Sequence, residues 1–350
     1  MTNQKLYLDH AATTPLIDAA RDAMLEGFAM WANPSSPHAQ GRAVRAVLED
    51  ARVSLASALG WNGEVVFTAG ASEALAIAMA RSKAPVLAVS PVEHDAVLRP
   101  AGDAARLPVD HCGRVDPGAT AHPGLVAVQH VNNETGVIQP LGAIAAVVRD
   151  AGGILLADCA QGAGKLPLPD ADLIAIAAHK FGGPVGCGAL LVRDFALLEP
   201  SGGQERGYRA GTENVPAIMA MVAALEAGGD WLEEAVRLRA LLEDAIVAEG
   251  GEVVAADAPR IAAIGAYRMP GVPSAAQLIR FDAMGIAVSA GSACSSGSLK
   301  TSHVHEAMGM DPKAASEVIR VSFGRTTTEA DVLRFLDAWK AMAGKGRAAA

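Results

Sequence analysis

Six short apolar runs without polar alternation, at residues 65–67, 86–89, 125–131, 154–157, 173–178 and 188–192, constrain this chain most. Such runs suit strands buried on both faces, as in a mostly parallel sheet covered by helices. Stretches of helical period lie between them, at residues 41–58, 72–80 and 144–149, with a weaker one at 95–105. Alternating strand and helix signals argue for an α/β doubly wound unit. A later helix starts at Asp230, which can cap it with Glu233 three residues on, and stops at Gly250-Gly251. Beyond about residue 251 the pattern changes to a strand at 261–267, a helix at 274–284, strands at 286–289 and 318–323, and a final helix at 328–342. That is a second, α+β unit, and the Gly/Lys/Ala tail from Gly344 is expected to fray.

Length agrees with two cores, since 350 residues exceed the usual single-core range. No apolar run approaches the roughly 18 residues of a membrane span. The first residues lack the basic patch, apolar core and cleavage site of a secretion signal. Cys112, Cys159, Cys187 and Cys294 are widely spread with no C-x-x-C pair, which fits a reducing cytoplasm better than a disulfide framework. A net charge of −9 gives no reason to expect nucleic acid.

The chemistry-bearing residues fall at the ends of the apolar runs. The 173–178 run leads into His179-Lys180 and a glycine turn, where ligands bind in open α/β sheets. The preceding run ends in Asp158. A lysine and a carboxylate so placed are the pair that pyridoxal phosphate requires: an amine to hold the aldehyde, and an acid to keep the ring nitrogen protonated. Alone, the lysine reads as a usual solvated strand-end residue, and the aspartate equally well as a cap or turn residue. After the 65–67 run, Thr68-Ala69-Gly70-Ala71-Ser72 is a strand-to-helix turn whose N–H groups suit a phosphate. His94 follows the 86–89 run, where an imidazole can stack on a flat ring or exchange protons. These features are expected at four consecutive sheet edges. In the second unit Cys294 stands in Gly291-Ser292-Ala293-Cys294-Ser295-Ser296, unlike the cysteines in apolar runs, and an accessible thiol is what a nucleophile needs. Arg320 is a charge inside a strand pattern, suited to a substrate carboxylate or to an internal Asp or Glu.

As a set, Tyr7-Leu8-Asp9-His10-Ala11-Ala12-Thr13-Thr14-Pro15, Asn33-Pro34-Ser35-Ser36-Pro37-His38, Glu93-His94, Asn132-Asn133-Glu134-Thr135-Gly136, Asp158-Cys159-Ala160-Gln161, His179-Lys180, Arg209-Ala210-Gly211-Thr212-Glu213-Asn214 and the Cys294 loop resemble the cysteine desulfurases. The likeness is to the nitrogen-fixation and iron–sulfur-assembly subgroup. It implies the fold type I architecture of pyridoxal-phosphate transferases, with a large domain over 15–250 and a small one formed by 1–14 and 251–350. It implies that Lys180 carries pyridoxal 5′-phosphate, that Ala71, Ser72 and His179 hold the phosphate, and that Asp158 pairs with the ring nitrogen. Gln161 and Asn133 are implied at the ring hydroxyl, His94 on the ring face and Arg320 on the substrate carboxylate. Thr212 reaches the neighbouring subunit's phosphate, which implies a homodimer. Cys294 takes sulfur from L-cysteine as a persulfide, leaving L-alanine, for delivery to an acceptor protein in cluster assembly or thiolation.

Two departures stand out. Ala177 stands where the family has a serine of the phosphate cup, and the sequence ends soon after its last expected helix, whereas relatives that deliver sulfur to an iron–sulfur scaffold carry a longer docking tail, which leaves the acceptor open. Other readings are an aminotransferase or selenocysteine lyase on the same fold, or a metal or iron–sulfur binding protein using the four cysteines. The cysteine spacing disfavours the last, and His303 and His305 are expected on different helix faces. A P-loop reading of 161–165 fails for want of the first glycine and of a Ser or Thr at Leu166.

Overall fold

The computed structural model describes residues 5–291 and 302–347. Its strands are β1 (Leu6–Tyr7), β2 (Glu64–Thr68), β3 (Val86–Val89), β4 (Ala105–Arg106), β5 (Leu125–Ala127), β6 (Ile154–Asp158), β7 (Leu173–Ala177), β8 (Gly188–Val192), β9 (Glu252–Val253), β10 (Ile264–Arg268), β11 (Ile286–Ala287) and β12 (Val318–Ser322). Strands β2 to β8 form one sheet in the order β2-β8-β7-β6-β5-β3-β4. Within it β7, β6, β5, β3 and β4 are parallel, and β8 runs against both of its neighbours. The result is an α/β fold on a mostly parallel mixed sheet.

Side-chain alternation divides each strand between two apolar layers. Val65, Phe67, Ile174, Ile176 and Leu191 face Leu48, Leu55, Ile144 and Ile218 of the helices Ala39–Leu59, Leu141–Asp150 and Val215–Glu226. Val66, Leu173, Ala175 and Leu190 face Leu75, Ala78 and Val97 of the helices Ala71–Arg81 and Asp95–Leu98. Every residue of β7 and β8 is buried, which is why both read as unbroken apolar runs. A separate core gathers Leu8, Leu238, Leu242, Tyr267, Ile319, Phe335 and Trp339, with Phe281 stacked on Phe335 at 4.9 Å. It lies among β12-β10-β9 and the helices Trp231–Ala248, Ser274–Ala283 and Glu329–Arg347. The first strand is threaded here: β1 pairs in parallel with β11, and Asp9 bridges to Ser322 of β12.

Three local expectations are corrected. The helix expected over 95–105 stops at Leu98: Arg99 is still helical, but Pro100 has no N–H to continue the ladder. Asp230 precedes its helix in a helical conformation and makes no side-chain cap, so the capping-box reading fails. The last helix continues to Arg347, past the glycine expected to start a frayed tail.

One buried ion pair ties this layer to the segment carrying Thr212. Arg52 meets both carboxylate oxygens of Glu205 at 2.7 and 3.1 Å, and Phe67 N–H adds a bond to Glu205 at 2.8 Å. Glu205 and Arg206 adopt left-handed backbone angles (φ 48° and 57°), a conformation held only where the surroundings demand it. Glu205→Ala leaves Arg52 with Glu49 and Val65 O and strips Phe67 N–H of its acceptor, so a loss of about 3 kcal/mol is expected. Urea denaturation measures this, and an unchanged midpoint would mean that the pair contributes nothing.

Candidate active site

The parallel strands deliver their carboxyl ends to one side of the sheet, where a cavity of about 580 Å³ opens. Lys180 lies in a single 3₁₀ turn after β7, and Asp158 is the last residue of the adjacent parallel strand β6. Both line the cavity, as do Gln161 and His179. His94 follows β3 and caps a short helix, its Nδ1 accepting from Ala96 N–H at 3.1 Å. A neutral ring bonded this way carries its proton on Nε2. Ala71 and Ser72 reach the same cavity from β2, at the N-terminal turn of an 11-residue helix whose first N–H groups have no intrahelical acceptor. Gly70 before them has φ +147°, and a side chain on Gly188 would collide with its backbone, so glycine is needed where the two turns meet. Asn133 and Arg320 also line it. The four edges are not consecutive as expected: β8 separates β2 from β7, and β5 separates β6 from β3.

Burial raises the carboxyl of Asp158 above its usual range, partly offset by Ala160 N–H, His94 and Lys180. Such a group gains most from a cationic N–H partner. Burial, with Lys180 and Lys165 nearby, pushes His179 down to about 4, so it is neutral near pH 7. Lys165 is itself pushed down to about 7 by burial and by Lys180. Gln161 Nε2 donates to Ala11 O at 2.8 Å, while its buried Oε1 has no partner among the described residues. An acceptor without a donor suits a ligand hydroxyl. Ala177 lines the cavity and offers none of its own.

Reasoning from single residues missed the part played by the segment from Asp9 to Thr14. Lys180 Nζ donates to Ala11 O and Ala12 O at 2.7 and 2.8 Å. Thr14 N–H donates to His179 O at 2.7 Å, and Ala11 N–H to Ser322 Oγ at 2.9 Å. Asp9 Oδ1 accepts from Arg320 at 2.7 Å, which realises the internal-carboxylate alternative for that arginine. The signal was faint because most of these contacts use backbone carbonyls, which no residue type announces. His303, also unassigned, lines the cavity with Nε2 2.9 Å from Glu93 O, and Ser302 Oγ donates to the buried Glu134 at 2.6 Å. His305 is fully buried while His303 is half-buried, so the two do face differently. Thr212 is exposed and does not line this cavity. Cys294 lies outside the described residues. Cys112, expected at no particular depth, is buried like Cys159 and Cys187, and all three are free thiols.

Around this one cavity the Ala71–Ser72 turn could hold an anion, Asp158 a basic nitrogen and Lys180 a carbonyl carbon. Residues 6–335 match the aminotransferase class-V family. An IscS-like cysteine desulfurase of Mycobacterium tuberculosis is 37% identical, with 98% of each chain covered. The solved NifS-like protein of Rickettsia africae superposes with a TM-score of 0.87 at 27% identity, covering 97% of this chain and 99% of the other. SspA, solved in complex with cysteine, gives 0.79 at 28%, covering 93% and 100%. A cavity built around a strand-end lysine and aspartate, on a chain alike from end to end to proteins that share that fold, leaves one assignment: the chain belongs to the class-V aminotransferase family, among its cysteine desulfurases.

Proposed function

We propose that this protein is a pyridoxal 5′-phosphate-dependent cysteine desulfurase that converts L-cysteine to L-alanine and passes the sulfur to its own Cys294. The juxtaposition of Lys180, Asp158 and Arg320 around one cavity carries the reading. The residues fit the cofactor: a helix turn for phosphate, a raised carboxyl for the ring nitrogen, and an unpartnered Gln161 oxygen for the ring hydroxyl. When bound, the cofactor supplies a ring that takes up the electron pair left on the substrate's α-carbon.

The chain's own residues do the rest. Lys180 would anchor the cofactor and, once released by the substrate amine, is the neutral amine placed to take the α-proton, after which the carbonyls of Ala11 and Ala12 hold its ammonium inside the cavity. Asp158 holds the ring nitrogen's proton, and its burial makes that ion pair stronger than it would be in water. His94, oriented by the bond its Nδ1 accepts, would stack on the cofactor ring from the cavity wall. Arg320, backed by Asn133 O at 2.9 Å, receives the substrate carboxylate. The Cys294 thiolate attacks the substrate sulfur. The carbon–sulfur bond breaks as the sulfur–sulfur bond forms, so cysteine plus a protein thiol gives alanine plus a protein persulfide.

A homodimer is supported by the apolar, exposed Leu25, Phe28 and Trp31 (82% exposed), and by the exposed Thr212, which the resemblance assigns to a neighbour's phosphate. Three free thiols support a cytoplasmic setting, and no single helix among the described residues is long and apolar enough to cross a membrane. The persulfide serves an acceptor protein in iron–sulfur assembly or thiolation. The test is release of alanine and sulfide from cysteine in the presence of a thiol. Asp158→Asn is expected to keep the cofactor but lose roughly 10²–10³ in kcat, the scale of one preorganised electrostatic group. Near-normal kcat in that variant, or keto-acid production in place of alanine, would contradict the reading.

A further inference from the structure

We propose that Asp9 is a specificity-determining residue: its carboxylate holds the Arg320 guanidinium and thereby weakens, to a set degree, the enzyme's grip on substrate and product carboxylates. This deepens the reading above and rests on Arg320 being the carboxylate site.

Arg320 is 6% exposed, yet only two of its N–H groups have protein acceptors among the described residues, Asn133 O at 2.9 Å and Asp9 Oδ1 at 2.7 Å. Its buried Nε–H has none. An arginine with part of its fork unused, at the wall of a cavity, is arranged to accept a further planar anion. That anion meets a cation already neutralised by Asp9, however, and a second negative charge beside the first. In a partly desolvated site such repulsion is not screened away.

Asp9 does not owe its place to the ion pair. Its backbone bridges to Ser322, its carbonyl accepts Tyr7 Oη at 3.0 Å, and Leu8 and Ala11 on either side bond to Ala287 and Ser322. The carboxylate can therefore be changed without moving the segment that also holds Lys180. The consequence is turnover: without Asp9, Arg320 is a lone buried cation that holds cysteine tightly and releases alanine slowly.

Asp9→Asn keeps the shape and one acceptor oxygen while removing the charge. In the cofactor-loaded enzyme, 3-mercaptopropanoate should bind roughly five- to tenfold more tightly to this variant than to wild type, the scale of one partly screened charge contact. The neutral 3-mercaptopropanamide should bind both alike. Calorimetry gives both constants, and the KM for cysteine should fall by a similar factor while kcat declines. Asp9→Ser should repeat the pattern, which guards against a fold defect in one variant. On an Arg320→Gln background the Asp9 substitution should change binding of the acid by a clearly smaller factor and leave the amide unchanged. Equal or weaker carboxylate binding by Asp9→Asn, or equal changes for acid and amide, overturns the proposal. An Arg320→Gln variant with an unchanged KM for cysteine instead overturns the carboxylate-site reading beneath it.

Discussion

Lys180→Ala is expected to abolish desulfuration, with kcat down by at least about 10³-fold, because one side chain supplies both the covalent anchor and the proton carrier. The geometry gives no substitute. Lys165, the other amine close by, lies against Lys180 in a neighbouring hollow and does not line the 580 Å³ cavity. Cofactor that still binds the variant should do so without a covalent bond, so borohydride treatment should leave no cofactor mass on the chain. Residual covalent labelling would move the role to another lysine. Stability should change little, since the Ala11 and Ala12 carbonyls to which Lys180 Nζ donates can be satisfied by a ligand or water in its place.

Cys294→Ala should be equally inactive in alanine formation for a different reason. The thiolate acts after the substrate has bound and lost its α-proton, so the variant should still bind cysteine and perturb the cofactor spectrum. Its sulfur then has no acceptor. The other three cysteines cannot replace it: Cys159 and Cys187 are buried and their thiols are pushed up by burial, the latter to about 12, and Cys112 is buried and raised as well. A thiol held protonated is a poor nucleophile. With small neighbours on both sides in sequence, the substitution should alter stability by no more than about 0.5 kcal/mol. A stable, spectrally responsive and inactive variant is the expected combination, and one that still forms alanine at the wild-type rate would remove Cys294 from the mechanism.

The sheet was legible in the sequence because strands buried on both faces must be apolar at every position, as in β7 and β8. Strand direction was harder to read, since a buried strand looks the same either way. The link from Ala177 to Gly188 is nevertheless shorter than the dozen or more residues of a parallel crossover, and that signal points to the reversed β8. Asp158 and Lys180 could be found because their chemistry is carried by side chains at run ends. The Asp9–Thr14 segment stands out only through the resemblance, and its role is not legible residue by residue, because its carbonyls do the binding and its neighbours in space, Lys180 and Ser322, are far along the chain. Asp230 looked like a cap by residue type, but capping needs an extended backbone before the helix, and Asp230 is already helical. A strand arginine such as Arg320 calls for a carboxylate from within or without, and Asp9 shows that one pocket arginine can have the first and still be arranged for the second.

The central claim is that sulfur leaves cysteine for Cys294, and one measurement tests it directly. Wild-type enzyme is mixed with L-cysteine without reductant, digested, and analysed by mass spectrometry while free alanine is counted. The peptide containing Cys294 should gain the mass of one sulfur atom, in step with one alanine per labelled chain. Sulfur found on Cys112, Cys159 or Cys187, or alanine formed with no sulfur retained on the protein, would contradict the account.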